Sequence, residues 1–126
     1  MSFSNTFETR VLTFVFTAAS VTRPTAWFVA LFTAAPGEPG GGTEVSGGGY
    51  VRRAAAFSVS GNTATNSGAL EYPTATASYG TVTHIGVFDA SSGGNLIAYA
   101  ALTASKAIST GDVLRLPAGD LDVTLD

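Results

Sequence analysis

Short strand-like segments, separated by turn signals, follow one another from residue 50 to the end of the chain. Turns such as Gly61-Asn62 and Ala118-Gly119 lie between them, because glycine and asparagine tolerate the backbone angles of tight turns. Regular spacing of this kind is typical of antiparallel sandwiches. The predicted strands cover residues 50–60, 69–72, 81–89, 96–103, 113–117 and 121–125. We therefore predict a mainly β fold, a jelly-roll-like antiparallel β-sandwich of about eight strands.

The last of these segments alternates most clearly between apolar and polar residues. Three apolar side chains are expected to point inward: Leu121, Val123 and Leu125. The residues between and beside them are expected to face solvent: Asp120, Asp122, Thr124 and Asp126. Clustered aspartates could favour a calcium ion, but their spacing lacks a binding-loop pattern. We interpret them as a charged edge that discourages further strand pairing.

Helical periodicity appears only in the N-terminal part of the chain. Apolar residues recur at spacings of three and four over residues 3–18, which marks one stripe of a helix. Asn5 followed by Glu8 resembles a helix start with a capping side chain. We predict one N-terminal α-helix over residues 5–17, packed on the sandwich. Two members of the stripe are expected to lie buried beneath it: Phe14 and Val15.

Two contrasting segments follow the predicted helix. Residues 26–33 form a continuous apolar run, which predicts a strand covered on both faces, with Trp27 in the core. Residues 34–49 are rich in glycine and proline and are predicted to form a flexible loop that adds nothing to the core. This loop is either an idle surface connection or a segment ordered by a neighbouring subunit.

The charge content limits the classes of protein to which the chain can belong. Its 126 residues are in the size range of one domain, so we assign residues 1–126 to a single domain. Charged residues make up only 12% of the chain, about half the usual share. Such a composition suits a membrane protein or a subunit that hides surface in an assembly. Because no apolar run approaches the roughly 20 residues of a membrane span, we expect an assembly and no membrane partner.

Charge distribution and cysteine content also limit the expected partners and chemistry. The net charge is −3 and the basic residues are scattered, so no basic face for direct nucleic-acid binding is expected. The chain has no cysteine, which rules out disulfides and thiolate metal sites. No secretory signal is visible, so we expect synthesis in the cytoplasm.

Candidate catalytic groups are few. His84 is the one histidine, and alternation places it on a strand face with Val82, Gly86 and Phe88. Neither a serine nucleophile motif nor a suitable pair of carboxylates accompanies it. We interpret His84 as structural and predict no enzymatic activity, no catalytic residues, no cofactor and no metal.

Adjacent arginines mark the strand that follows the loop. Arg52 and Arg53 must point to opposite faces, so one faces outward while the other needs an acid partner or an interface. Either both arginines are solvated and have no special role, or one of them forms an ion pair with an acidic residue of another subunit. Acidic residues of the preceding loop lie close enough in sequence to serve as partners. The predicted subunit-contact residues are therefore Glu38, Glu44, Tyr50, Arg52 and Arg53.

Three stretches resemble small structural proteins of tailed bacteriophages, which are described as tail fibre or head decoration proteins. They are TEVSGGGYVRR at 43–53, NSGALEYPTATA at 66–77 and GTVTHIGVFD at 80–89. The resemblance implies a non-enzymatic virion protein made in a host bacterium, a homotrimer, and contact with a major capsid or tail protein.

Three functions stay open at this point. A capsid decoration or cement subunit is the first interpretation, and a tail, neck, baseplate or fibre subunit is the alternative. A carbohydrate-binding module for host recognition is a third, in which exposed aromatic side chains would stack on sugars. The candidates for that stacking are Trp27, Tyr50, Tyr72, Tyr79 and Tyr99.

Overall fold

A computed structural model describes residues 1–125 of the chain, which form one helix and eleven strands. The helix α1 covers Asn5–Phe16. The strands are β1 (Ser2–Phe3), β2 (Trp27–Ala34), β3 (Thr43–Glu44), β4 (Arg53–Ala55), β5 (Phe57–Ser60), β6 (Thr63–Asn66), β7 (Leu70–Glu71), β8 (Gly80–Phe88), β9 (Leu96–Ile108), β10 (Arg115–Leu116) and β11 (Asp122–Thr124). The predicted mainly β fold with one N-terminal helix is confirmed.

One large sheet and two small sheets form the architecture, and every strand pair is antiparallel. The six-stranded sheet has the order β1-β9-β8-β2-β3, with β4 also paired to β2. The small sheets have the orders β11-β6-β5 and β10-β7. Their apolar side chains join those of the large sheet in one core, so the antiparallel β-sandwich is confirmed.

The centre of this core lies on one face of β2 and β8. Val29, Leu31 and Ile85 on these strands belong to the same buried cluster as Leu70 and Leu116 of the small sheet β10-β7. Burying such branched side chains is the main favourable term in folding.

A tyrosine hydroxyl fixes the strands around this core. Tyr72 is 1% exposed, and its hydroxyl donates a hydrogen bond of 2.8 Å to the carbonyl oxygen of Val29. Tyr72 directly follows β7, so this bond joins the small sheet to β2 of the large one.

Strand boundaries differ from the sequence prediction where the chain changes sheets. The single strand predicted over 50–60 is broken at Ala56, so that β4 lies in the large sheet and β5 in a small one. The carbonyl oxygen of Ala56 instead accepts the backbone N–H of Ser67 at 2.9 Å. Strand β9 is longer than predicted and contains a bulge, since its pairing with β8 jumps from Ala101 to Lys106. The short strands β1, β3 and β6 were not predicted.

Helix α1 begins as predicted but packs differently. Its N-cap is Ser4 and not Asn5, because the Ser4 hydroxyl accepts the N–H of Phe7 and also donates to the carbonyl of Leu96. Phe7 in the first turn is the one buried residue of the helix. The prediction that two later members of the stripe lie under the helix is wrong: Phe14 is 73% exposed and Val15 is 58% exposed. The apolar stripe continues beyond the surface that could cover it.

The glycine-rich loop contributes more to the fold than its composition indicated. Val45 is 5% exposed in the core, and its N–H donates to the carbonyl of Leu31 at 2.9 Å. The expectation that this segment adds nothing to the core is therefore wrong at Val45. Glu38 joins the loop to the helix start, since its carbonyl accepts the N–H of Asn5 at 3.0 Å.

The final strand follows the predicted alternation over most of its length. Leu121 is buried and Val123 is half-buried, while Asp122 and Thr124 are exposed. Leu125 is 48% exposed, so its predicted inward position is wrong. Asp126, predicted to face solvent, lies outside the described residues.

Asn66 is a buried polar hub at the end of β6. It is 2% exposed, and its side-chain amide donates to the carbonyls of Gly68 at 2.9 Å and Pro117 at 3.0 Å. Its side-chain oxygen accepts the N–H of Leu121 at 2.9 Å. Asn66 thus holds the segment between β10 and β11 against β6.

We expect Phe7→Ala to lower the free energy of unfolding by about 3–5 kcal/mol, because the cavity left in the core only partly collapses. Urea denaturation followed by circular dichroism would measure the loss. Thr9→Ala, on an exposed position of the same helix, is the control and should change stability by less than about 0.5 kcal/mol. Equal losses for the two variants would contradict the packing of the first turn.

Asn66→Asp is expected to destabilise the fold by about 3 kcal/mol or more at neutral pH. The carboxylate loses two donors and places negative charge against the carbonyls of Gly68 and Pro117. Because burial raises the pKa of such a carboxyl, the deficit should shrink at acid pH, where the side chain is protonated. Ser67→Asp, at the exposed neighbouring position, should show no comparable deficit at neutral pH. Denaturation curves over a pH series would test both expectations.

Candidate subunit-contact site

Arg52, which directly precedes β4, forms the one salt bridge found within residues 1–125. Arg52 binds the Glu44 carboxylate with two hydrogen bonds, from Nε to Oε2 and from Nη2 to Oε1, both of 2.8 Å. The Arg52 side chain is 7% exposed and that of Glu44 is 27% exposed. A bidentate pair shielded in this way holds both side chains in one geometry.

The remaining guanidinium surface contacts the turn between β8 and β9. Its Nη1 donates to the carbonyl oxygens of Ala90 at 2.9 Å and Gly93 at 2.8 Å. Its carbon Cζ lies 3.8 Å from the centroid of the Phe88 ring, a cation–π contact. Arg52 therefore ties β3 to a turn about 40 residues further along the chain.

Tyr50 connects the ion pair with the core. Its hydroxyl donates to Glu44 Oε2 at 2.7 Å and accepts the N–H of Leu31 at 3.0 Å. Its ring stacks on Tyr72 with centroids 6.2 Å apart and meets the edge of Tyr79 at 5.8 Å. These contacts leave the Glu44 carboxylate with three hydrogen bonds and place the tyrosine in a structural role.

The hydrogen bonds determine the protonation states of the cluster. Burial alone would raise the pKa of Glu44, but hydrogen bonds from Arg52 and Tyr50 outweigh it and hold the pKa below its ordinary value of 4.5. Burial and the neighbouring carboxylate raise the pKa of Tyr50, so its hydroxyl remains a donor. The hydrogen bond to Glu44 raises the pKa of Arg52.

The five predicted contact residues fall into two groups. Glu44, Tyr50 and Arg52 form the cluster within a single chain, so the acid partner of Arg52 is intramolecular. Arg53 is half-buried and donates from Nε to the carbonyl of Glu71 at 2.7 Å, while Glu38 is exposed. A contact of these residues with another subunit stays a prediction.

The sequence reasoning missed the groups that surround Arg52 on its other side: Phe88, Ala90 and Gly93. Two of them contribute only backbone carbonyl oxygens, which every residue has, so the residue type gives no signal. For the aromatic residue, strand alternation indicated a face but not its neighbour across the loop.

Most aromatic residues considered for sugar stacking are engaged inside the fold. Tyr72 and Tyr79 are buried, and the hydroxyl of Tyr50 is used by Glu44 and Leu31. Trp27 is half-buried against the core. Tyr99 is half-buried where β9 pairs with β1.

The structure also places the histidine and the acidic residues that the sequence offered for other chemistry. His84 is half-buried, with Nδ1 2.8 Å from the Thr83 hydroxyl, and it lies opposite Phe32 in the sheet. Across this described range, no three histidine, aspartate or glutamate side chains come together as metal ligands. The helical part of the same range contains no segment long and apolar enough to cross a membrane.

Arg52→Ala should lower the free energy of unfolding by about 2–4 kcal/mol, because it leaves Glu44 and two carbonyls without their partner. Arg53→Ala, one residue away and bound to a single carbonyl, should cost no more than about 1 kcal/mol. Chemical denaturation of the two variants compares adjacent residues of the same type. A loss for Arg53→Ala as large as that for Arg52→Ala would contradict the special role of the cluster.

The stability contributed by Glu44 should depend on pH. Because its pKa is lower in the folded chain than in the unfolded one, ionised Glu44 stabilises the fold above about pH 4.5. This contribution is lost as the pH falls through the folded-state pKa. The difference in unfolding free energy between wild type and Glu44→Gln should therefore be larger at neutral pH than near pH 3, with Glu38→Gln as the control. A difference that is independent of pH would refute the assignment.

Comparison with known proteins identifies the family. The family model of the podophage GP4 fiber I protein gp80 matches residues 2–124, which is nearly the whole chain and includes α1 and all the described strands. No curated protein matches the chain. The match agrees with the resemblance of three separate stretches to phage structural proteins. The chain belongs to the family of the podophage GP4 fiber I protein gp80.

Proposed function

We propose that the chain is a non-enzymatic subunit of a phage virion and that it forms part of a tail fibre. The observation that carries this proposal is the family match over residues 2–124, whose description names a podophage fibre protein. It favours the tail or fibre alternative over the capsid decoration subunit that was the first interpretation of the sequence. The carbohydrate-binding alternative has less support, because most candidate stacking aromatics are engaged inside the fold.

The composition supports a role in assembly. Only 12% of the residues are charged, and four of the apolar residues on α1 are exposed: Leu12, Phe14, Val15 and Phe16. Covering exposed apolar side chains with a partner is thermodynamically favourable, because it removes apolar surface from water. We further propose a homotrimer that attaches to a tail protein and makes no direct contact with nucleic acid.

The proposal can be tested on purified particles that carry an epitope tag on this chain. Cryo-electron microscopy with antibody fragments should show the label on tail fibres. Particles produced without the chain should lack the fibre density that the label marks in tagged particles, and should retain complete heads. Label distributed over the head shell would contradict the proposal and restore the decoration alternative.

Copy number gives an independent measurement. Quantitative mass spectrometry of purified particles should find a handful to a few dozen copies, in proportion to the tail proteins. Hundreds of copies, in proportion to the major capsid protein, would overturn the fibre assignment.

A further inference from the structure

Exposed apolar side chains continue along α1 past the sheet that buries its first turn. Phe7 is 6% exposed, whereas Phe16, more than two turns later, is 78% exposed. Leu12, Phe14 and Val15 are also exposed in this second half of the helix. The two exposed phenyl rings alone leave about 300 Å² of aromatic surface in water. Phe14 and Phe16 are two residues apart, so they project from opposite sides of the helix. Exposed apolar area of a few hundred Å² on one helix of a small protein indicates an interaction surface.

The second half of α1 has little to stabilise it within one chain. The helix has 12 residues, and threonine, valine and phenylalanine dominate its sequence NTFETRVLTFVF. These residues have lower helix propensity than alanine or leucine, and isolated helices of about this length are marginal in water. Ser4 and Phe7 anchor only the start. A partner that covers the later turns would hold them in helical form.

Two grooves of opposite charge run along α1, one on each side. The first has two arginines beside an apolar wall: Arg10, Arg23, Phe14 and Val21. The second has two glutamates beside an apolar wall: Glu8, Glu38, Leu12 and Leu125. Within residues 1–125 the one salt bridge joins Glu44 to Arg52, so these four groove charges are not paired with each other.

We propose that α1 packs against α1 of a second copy of this chain, with the helices parallel about a rotation axis. In this arrangement the arginine groove of each copy meets the glutamate groove of the next, and the exposed phenylalanines lie between them. An antiparallel twofold pair would instead bring grooves of like charge together. The inference rests on the self-association proposed above and names its surface.

Phe14→Ser/Phe16→Ser tests the apolar part of the surface. Sedimentation equilibrium of the full chain should show an oligomer for the wild type. The double variant should be a monomer, with a dissociation constant raised at least about a hundredfold. Val113→Ser, at an exposed apolar residue outside α1, should associate like the wild type. Circular dichroism should show that each variant keeps its β-rich spectrum.

Charge reversal tests the groove pairing. Arg10→Glu/Arg23→Glu and Glu8→Arg/Glu38→Arg each place like charges at the contact, and each should weaken association at least about tenfold at low salt. The variant with all four changes has both grooves reversed and should recover association to within about threefold of the wild type. If it associates no better than the two double variants, the proposed contact between the arginine groove of one copy and the glutamate groove of the next is wrong.

The outcomes separate this inference from the proposals on which it rests. A wild-type trimer that Phe14→Ser/Phe16→Ser leaves intact would overturn the α1 surface and leave the trimer standing. A monomeric wild type would overturn both the trimer and the α1 contact. A monomer whose helix variants fail to enter particles would assign α1 to another virion protein, and would also overturn the inference. The location on the virion is measured separately, by the labelled particles.

Discussion

The bidentate pair between Arg52 and Glu44 connects segments of the fold that are far apart in the sequence. Glu44 lies on the short strand β3, whose two residues pair with β2 in an irregular register. The same guanidinium donates to Ala90 and Gly93 in the turn that joins β8 to β9. Burying an arginine is unfavourable unless its donors are satisfied, and four hydrogen bonds satisfy this one. Closure of the glycine-rich loop and formation of the β8–β9 hairpin are therefore coupled.

Local pattern was enough to predict the parts of the fold that depend on periodicity. The apolar run at residues 26–33 and the alternation at 81–89 became β2 and β8 with boundaries shifted by one residue. The predictions failed where a distant residue decides the outcome. Ser4 caps the helix because it also reaches Leu96, 92 residues away, and no window around Ser4 contains that information. Periodicity likewise identified the apolar side of α1 but not how far the sheet extends beneath it, which is why Phe14 was misplaced.

The candidate site shows the same division. In the structure only Arg53 lies on a strand, and Arg52 precedes β4. The rule that adjacent strand residues face opposite ways predicted an acid partner or an interface for one of the two arginines. It could not say whether the acid would come from the same chain, because the 34–49 loop has enough glycine to adopt many paths. The structure supplies Glu44 from the chain itself. Half of the large apolar side chains that are exposed in residues 1–125 lie on the helix.

The edge of β2 opposite β8 is sealed by three different devices. Strand β3 pairs with its C-terminal end and β4 with its N-terminal end. Between them, Leu31 donates its N–H to the Tyr50 hydroxyl and accepts from the N–H of Val45. No stretch of β2 therefore offers free backbone groups to an added strand, the contact through which exposed edges nucleate aggregates. A neighbouring chain can therefore meet this edge only through side chains and cannot extend the sheet there.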